Sequence, residues 1–204
     1  MKVKICGITN VTDAMAAANA GADAIGLMFF EGSPRHISNI VASEIVRVLP
    51  PRVVKVGVFV NPSEDRVRQA MECGIDTLQF HGEESPDFCR RFGVRVIKAF
   101  RIRDATSLGM LAKYQTDGWL LDSYVADQLG GTGAQFNWNL AAEAVKRHGH
   151  IWLAGGLTPE NVAKAVQQVR PYGVDVSSGV ESVPGKKDHL KLKLFIEAAH
   201  STGQ

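Results

Sequence analysis

Apolar residues in this chain come in short unbroken runs, with helical patterns filling the intervals. "VVKVGVFV", "VRVIKAF" and "IWLAG" are continuous rather than alternating, as expected of parallel strands buried on both faces. Eight such runs predict strands at Lys2–Cys6, Asp23–Phe29, Val53–Val60, Asp76–Phe80, Val94–Phe100, Trp119–Ser123, His150–Ala154 and Gly173–Ser177. Three intervals open with one start signal: Asn61-Pro62-Ser63-Glu64, Ser85-Pro86-Asp87 and Thr158-Pro159-Glu160. In each, a side-chain oxygen can cap free N–H groups and proline takes the first helical position. Asn10, three residues before Asp13, is a weaker version at the first helix. The interval Asp104–Gln115, with Gly109 inside it, predicts a short or distorted helix. Gly-x-Asp recurs at Gly21-Ala22-Asp23, Gly74-Ile75-Asp76 and Gly173-Val174-Asp175, where a helix hands over to a strand and glycine suits the left-handed turn.

Eight strand–helix units predict an α/β chain folded as a (β/α)8 TIM barrel, one compact domain over residues 1–204 with an irregular fifth helix. A doubly wound open sheet is the alternative, but its GxGxxG turn is missing after the first strand.

Charge narrows the function classes. Lys+Arg 23 against Asp+Glu 21 leaves a net charge of +2, too balanced to point to nucleic acid or an anionic membrane surface. Met1-Lys2 runs straight into a strand-like segment, without a secretory signal pattern. No apolar stretch reaches the ~18 residues of a membrane span. Cys6, Cys73 and Cys89 form no CxxC pair, so neither a disulfide framework nor a zinc site is expected. These features predict a cytoplasmic protein with reduced thiols, no metal and no membrane or nucleic-acid partner.

In such a barrel the chemistry sits at the C-terminal strand ends. Cys6 ends the first strand, either as a small buried apolar residue or as a thiol at the rim of an active site. Gly155-Gly156 and Ser178-Gly179 end strands seven and eight. Their glycines either allow tight turns or let the backbone cradle a phosphate. Asp122, in the apolar run "WLLDSY", either caps a turn or donates a proton from a partly apolar pocket. Arg35 lies between Pro34 and His36 in a constrained loop, either solvated or clamping a carboxylate. His81 ends strand four, in direct or supporting contact with substrate. The loop "LGGTGAQFNW" after strand six is long enough for a lid.

Together "KICGIT", "SPRHIS", "QFHG", "LLDSY" with "GGTG" and "FNW", "LAGGLTPENV", and "GVDVSSGVES" with "PGKKD" resemble the phosphoribosylanthranilate isomerase family of tryptophan biosynthesis. The similarity runs the length of the chain, and only Asn137 departs, where the family often has aspartate. The resemblance implies a cofactor-free Amadori rearrangement of an aminoaldose to an aminoketose. It implies Cys6 as general base at ribose C2 and Asp122 as general acid at the ring oxygen. Arg35 would hold the anthranilate carboxylate, Asp175 would lie near the substrate, and Gly155, Gly156, Ser178 and Gly179 would hold the phosphate. The partner is then a small phosphoribosyl substrate, and the protein a monomer or homodimer. Two rivals remain at this point: the aminoaldose isomerase of histidine biosynthesis, which uses an aspartate pair, and a phosphosugar-binding barrel without catalysis.

Overall fold

The computed structural model describes residues 1–102, 104, 106–123, 138–147 and 149–201. The candidate lid at 130–133 and Asn137 lie outside the described residues. Eight parallel strands close into a barrel in chain order: β1 (Lys2–Cys6), β2 (Ala24–Met28), β3 (Val54–Phe59), β4 (Thr77–Phe80), β5 (Arg95–Ile102), β6 (Gly118–Ser123), β7 (Ile151–Leu153) and β8 (Gly173–Val176). Val3 pairs with Val174 to seal β1 against β8. The helices that return the chain are α1 (Val11–Ala20), α2 (Asn39–Val48), α3 (Glu64–Met71), α4 (Pro86–Cys89), α5 (Leu108–Leu111), α6 (Trp138–Val145), α7 (Val162–Val169) and α8 (His189–His200).

The continuous apolar runs reflect two cores. Val3, Ile5, Ile25, Leu27, Val174 and Val176 face outward and join one cluster with helix residues such as Ala14, Ile45, Val67 and Phe195. Their neighbours in sequence face inward and form two small clusters. One holds Cys6, Ala24, Val56 and Val58; the other holds Ile97, Ala99, Leu120, Trp152 and Ala154. Trp152 needs small neighbours, since a Cβ at Gly173 would stand 2.6 Å from its ring.

Three local expectations are corrected. Pro62 precedes the cap of α3 rather than opening the helix, because Ser63 takes that role by accepting from the Arg66 N–H. The helix predicted from Thr158 starts at Val162, because Asn161 Oδ1 turns back to accept from the Thr158 N–H at 2.8 Å. The third Gly-x-Asp is no repeat of the other two. Gly21 (φ 104°) and Gly74 (φ 91°) are left-handed, but Arg170 (φ 52°) fills that role after α7 and Gly173 lies within β8. Accordingly Asp23 and Asp76 bond backbone N–H groups at the start of the neighbouring strand, whereas Asp175 points into the barrel toward Lys4. Elsewhere the caps are those expected, with Asn10 accepting from Asp13 N–H and Ser85 from Phe88 N–H. The fifth helix is a single turn of 4 residues.

After β8 the chain makes a 3-10 turn at Ser178–Val180, then the hairpin β9 (Glu181–Val183) and β10 (Lys186–Lys187). Thr9 Oγ1 donates to the Gly185 carbonyl at 2.6 Å, and the Lys187 N–H donates to Asp13 Oδ2 at 2.9 Å. These bonds tie the hairpin to the loop after β1 and to the first turn of α1, and bring Glu181 and Lys187 to the barrel mouth.

Candidate active site

A cavity of about 240 Å³ opens at the C-terminal end of the barrel. Cys6, Arg35, His81, Asp122, Asp175, Gly155, Gly156, Ser178 and Gly179 all line it, so residues up to 173 positions apart meet at one mouth. Cys6 and Asp122 come from β1 and β6, on different sides of the barrel.

Cys6 is 7% exposed. Burial pushes its thiol above the ordinary range, against an opposing pull from the Lys4 ammonium. On β2, opposite Cys6 in the strand register, stands Gly26. A Cβ there would lie 2.7 Å from Cys6 Sγ, so glycine leaves the thiol its space.

Asp122 Oδ2 lies 3.3 Å from His81 Nε2. Gln79 Nε2 lies 3.1 Å from His81 Nδ1; donation by the amide leaves the ring proton on Nε2, facing Asp122. The loop carrying His81 is braced from below. Glu84 accepts from the N–H groups of Asn61 and Gly82 and pairs with buried Lys98 at 3.2 Å. Lys98 in turn donates to the Gly82 carbonyl at 2.7 Å.

The loops after β7 and β8 form the opposite wall. Gly155 (φ 86°) and Gly156 (φ 65°) are both left-handed, a conformation that favours glycine. A Cβ at Gly179 would overlap the Leu157 carbonyl oxygen, so the two loops touch only because that residue is glycine. Gly179→Ala must separate them, which costs about 1–3 kcal/mol by overpacking. The expected result is a lower Tm together with weaker inhibition by a simple sugar phosphate. Inhibition equal to wild type would show that the spacing of these loops does not matter.

Arg35 is already engaged. Its Nε and Nη2 grip Glu181 Oε1 and Oε2 at 2.8 and 2.7 Å. Lys187 Nζ reaches Glu181 Oε1 at 2.8 Å. Burial alone would raise the Glu181 carboxyl; the Arg35 hydrogen bonds and the Lys187 charge outweigh it and hold it below its ordinary range. The Arg35 stem packs over Gly7, where a Cβ would meet its Cδ and Cγ, and the residue lines the cavity.

Sequence reasoning missed several residues. Arg101 lines the cavity because β5 continues past Phe100 to Ile102; an inward series Ile97, Ala99, Arg101 was the signal. Gln79 and Ser177, at predicted strand ends but given no role, line it too, and Gln79 Oε1 and Ser177 Oγ are buried without a hydrogen-bond partner among the described residues. Lys4 and Glu181 were read only as parts of longer motifs. Among the described residues, no group of His, Cys, Asp or Glu is arranged to hold a metal ion, and no helix is long and apolar enough to cross a membrane.

Fold and cavity together define a (β/α)8-barrel enzyme whose C-terminal strand ends gather a thiol, a carboxyl and two glycine-bearing loops around one cavity. Residues 3–198 match the family model described as N-(5'phosphoribosyl)anthranilate (PRA) isomerase, and the chain belongs to that family. It is 53% identical over 200 residues to the N-(5'-phosphoribosyl)anthranilate isomerase of Trichlorobacter lovleyi, covering 98% of both chains. The crystal structure of phosphoribosyl anthranilate isomerase from Thermotoga maritima superposes with a TM-score of 0.93 at 41% identity, over 98% of this chain and 99% of that one. A phosphoribosyl anthranilate isomerase solved in complex with reduced 1-(o-carboxyphenylamino)-1-deoxyribulose 5-phosphate superposes with a TM-score of 0.89 at 40% identity, over the same shares.

Proposed function

We infer that this chain converts N-(5-phosphoribosyl)anthranilate to 1-(2-carboxyphenylamino)-1-deoxyribulose 5-phosphate, with Asp122 as acid and Cys6 as base. The observation that carries the reading is one cavity lined by a buried thiol, a buried carboxyl and the two glycine-bearing loops. The related isomerase that holds the reduced product analogue supports the substrate class.

In this reading Gly155, Gly156, Ser178 and Gly179 hold the phosphate and so fix the ribose between the two proton-transfer groups. Asp122 gives its proton to the furanose oxygen. The C1–O bond breaks as the aniline nitrogen lone pair forms C=N, giving an open-chain Schiff base. The His81 N–H then faces the carboxylate that remains. Cys6 thiolate takes the proton from C2, and the electron pair moves into C1–C2 as the C=N pair returns to nitrogen. The resulting enolamine gains a proton at C1, loses one from the C2 hydroxyl, and becomes the aminoketone. Each proton transfer contributes about 10²–10⁴-fold.

Arg35 is assigned to the anthranilate carboxylate through the guanidinium edge that Glu181 does not occupy. Arg35→Ala should raise KM for the aromatic substrate more than it weakens a simple sugar phosphate inhibitor. Equal effects on both would remove Arg35 from that role. The function itself is tested by mixing purified protein with phosphoribosylanthranilate and no added cofactor. Loss of substrate fluorescence is the expected result, and persistent fluorescence would refute the reading.

A further inference from the structure

Lys4 is fully buried, at 0% exposure. Lysine is almost never placed so unless it is paired, and a well-packed apolar residue would often serve stability as well or better. The barrel interior around it is otherwise built largely of small and apolar residues. Stability alone therefore does not account for an ammonium here.

Its surroundings do. Lys4 and Cys6 are two residues apart on β1, so both side chains face the barrel interior. Lys4 Nζ donates to Asp175 Oδ1 at 2.8 Å, and its ammonium and the Cys6 thiol act on each other electrostatically. The Cβ missing from Gly26 would lie 3.1 Å from Lys4 Nζ and 2.7 Å from Cys6 Sγ, so ammonium and thiol together fill the space that glycine leaves. We propose that Lys4 is a positioning residue for the reaction: its buried ammonium, anchored by Asp175, holds Cys6 in place and stabilises the thiolate. This rests on the reading of Cys6 as base.

The charges facing Cys6 fix the sign. Lys4 lies on its own strand, Asp175 on β8, Lys187 on β10 and Arg35 in the loop after β2. Burial and Asp175 disfavour the thiolate, while Lys4 is the largest influence in its favour. Burial pulls the Lys4 ammonium down, but Asp175 and Cys6 more than offset it and hold it above its ordinary range. Removing Lys4 therefore leaves the thiol buried with Asp175 still disfavouring its ionisation.

The test is the pH dependence of Cys6 alkylation by iodoacetamide, read on the Cys6 peptide by mass spectrometry. Peptide resolution separates it from Cys73 and from Cys89, whose thiol burial pushes up to about 11. In Lys4→Met the alkylation midpoint should move up by about 1–3 units, and the rising limb of the kcat/KM pH profile should move with it. A folded Lys4→Met protein with an unchanged midpoint would overturn the proposal, even if its Tm had fallen. A midpoint that moves while the activity limb stays put would support the Lys4–Cys6 coupling and tell against Cys6 as the base. Should Lys4→Met not fold, Lys4→Met combined with Asp175→Asn leaves no unpaired charge and carries the same test. Its midpoint should still lie above wild type, because Lys4 acts on the thiol more strongly than Asp175 does, and a midpoint at or below wild type would overturn the proposal.

Discussion

Cys6→Ser lowers kcat by at least ~10²-fold and leaves affinity for a sugar phosphate inhibitor nearly unchanged. Serine keeps the volume and polarity of the site but has no ionised form near neutrality, so the C2 proton loses its acceptor. The phosphate contacts come from other strands, and the substitution does not reach them. The pH profile carries the same signature. Because burial pushes the Cys6 thiol up, the thiolate fraction grows from neutral into alkaline solution, and kcat/KM should rise along with it. Cys6→Ser should lack that limb. A serine variant turning over near the wild-type rate would mean that the thiol is filler at a barrel mouth.

The second large effect is expected at Asp122→Asn, again at least ~10²-fold in kcat. The amide preserves shape and still offers an oxygen to His81, whose Nε2 lies 3.3 Å from the native carboxyl, but it has no proton to give the ring oxygen. Ring opening then has to draw its proton from water. Since the substitution keeps the side-chain volume and shape, the protein should fold as wild type does. Near-native activity in this variant would assign the acid to another group, of which His81 is the nearest.

Local pattern accounts for most of what could be read in advance. Continuous apolar runs gave eight strands because each strand is buried on both faces, inward against Trp152 or Val56 and outward against the helices. Strand ends gave the candidate residues because a barrel brings all eight to one mouth. What local pattern could not supply was pairing across the chain. Lys4 and Asp175 meet at a separation of 171 residues, and Arg35 and Glu181 at 146. Nothing near Arg35 in sequence indicates that a hairpin after β8 will occupy two of its donors. Asp175 was obscured for a different reason, since Gly-x-Asp copies a motif whose other aspartates bond backbone at strand starts. Helix starts near Pro62 and Pro159 were misplaced by two and three residues, because Ser63 caps α3 and Asn161 turns its side chain back to the Thr158 N–H.

The central claim is a division of labour, in which Asp122 opens the ring before Cys6 removes the C2 proton. It is tested most directly by the deuterium isotope effect on turnover of substrate labelled at ribose C2, measured in both variants. Where Cys6→Ser has made proton removal slow, a primary effect of several-fold is expected. Where Asp122→Asn has made the earlier ring opening slow, the effect should fall close to unity. No isotope effect in Cys6→Ser, or a full one in Asp122→Asn, would contradict the assignment.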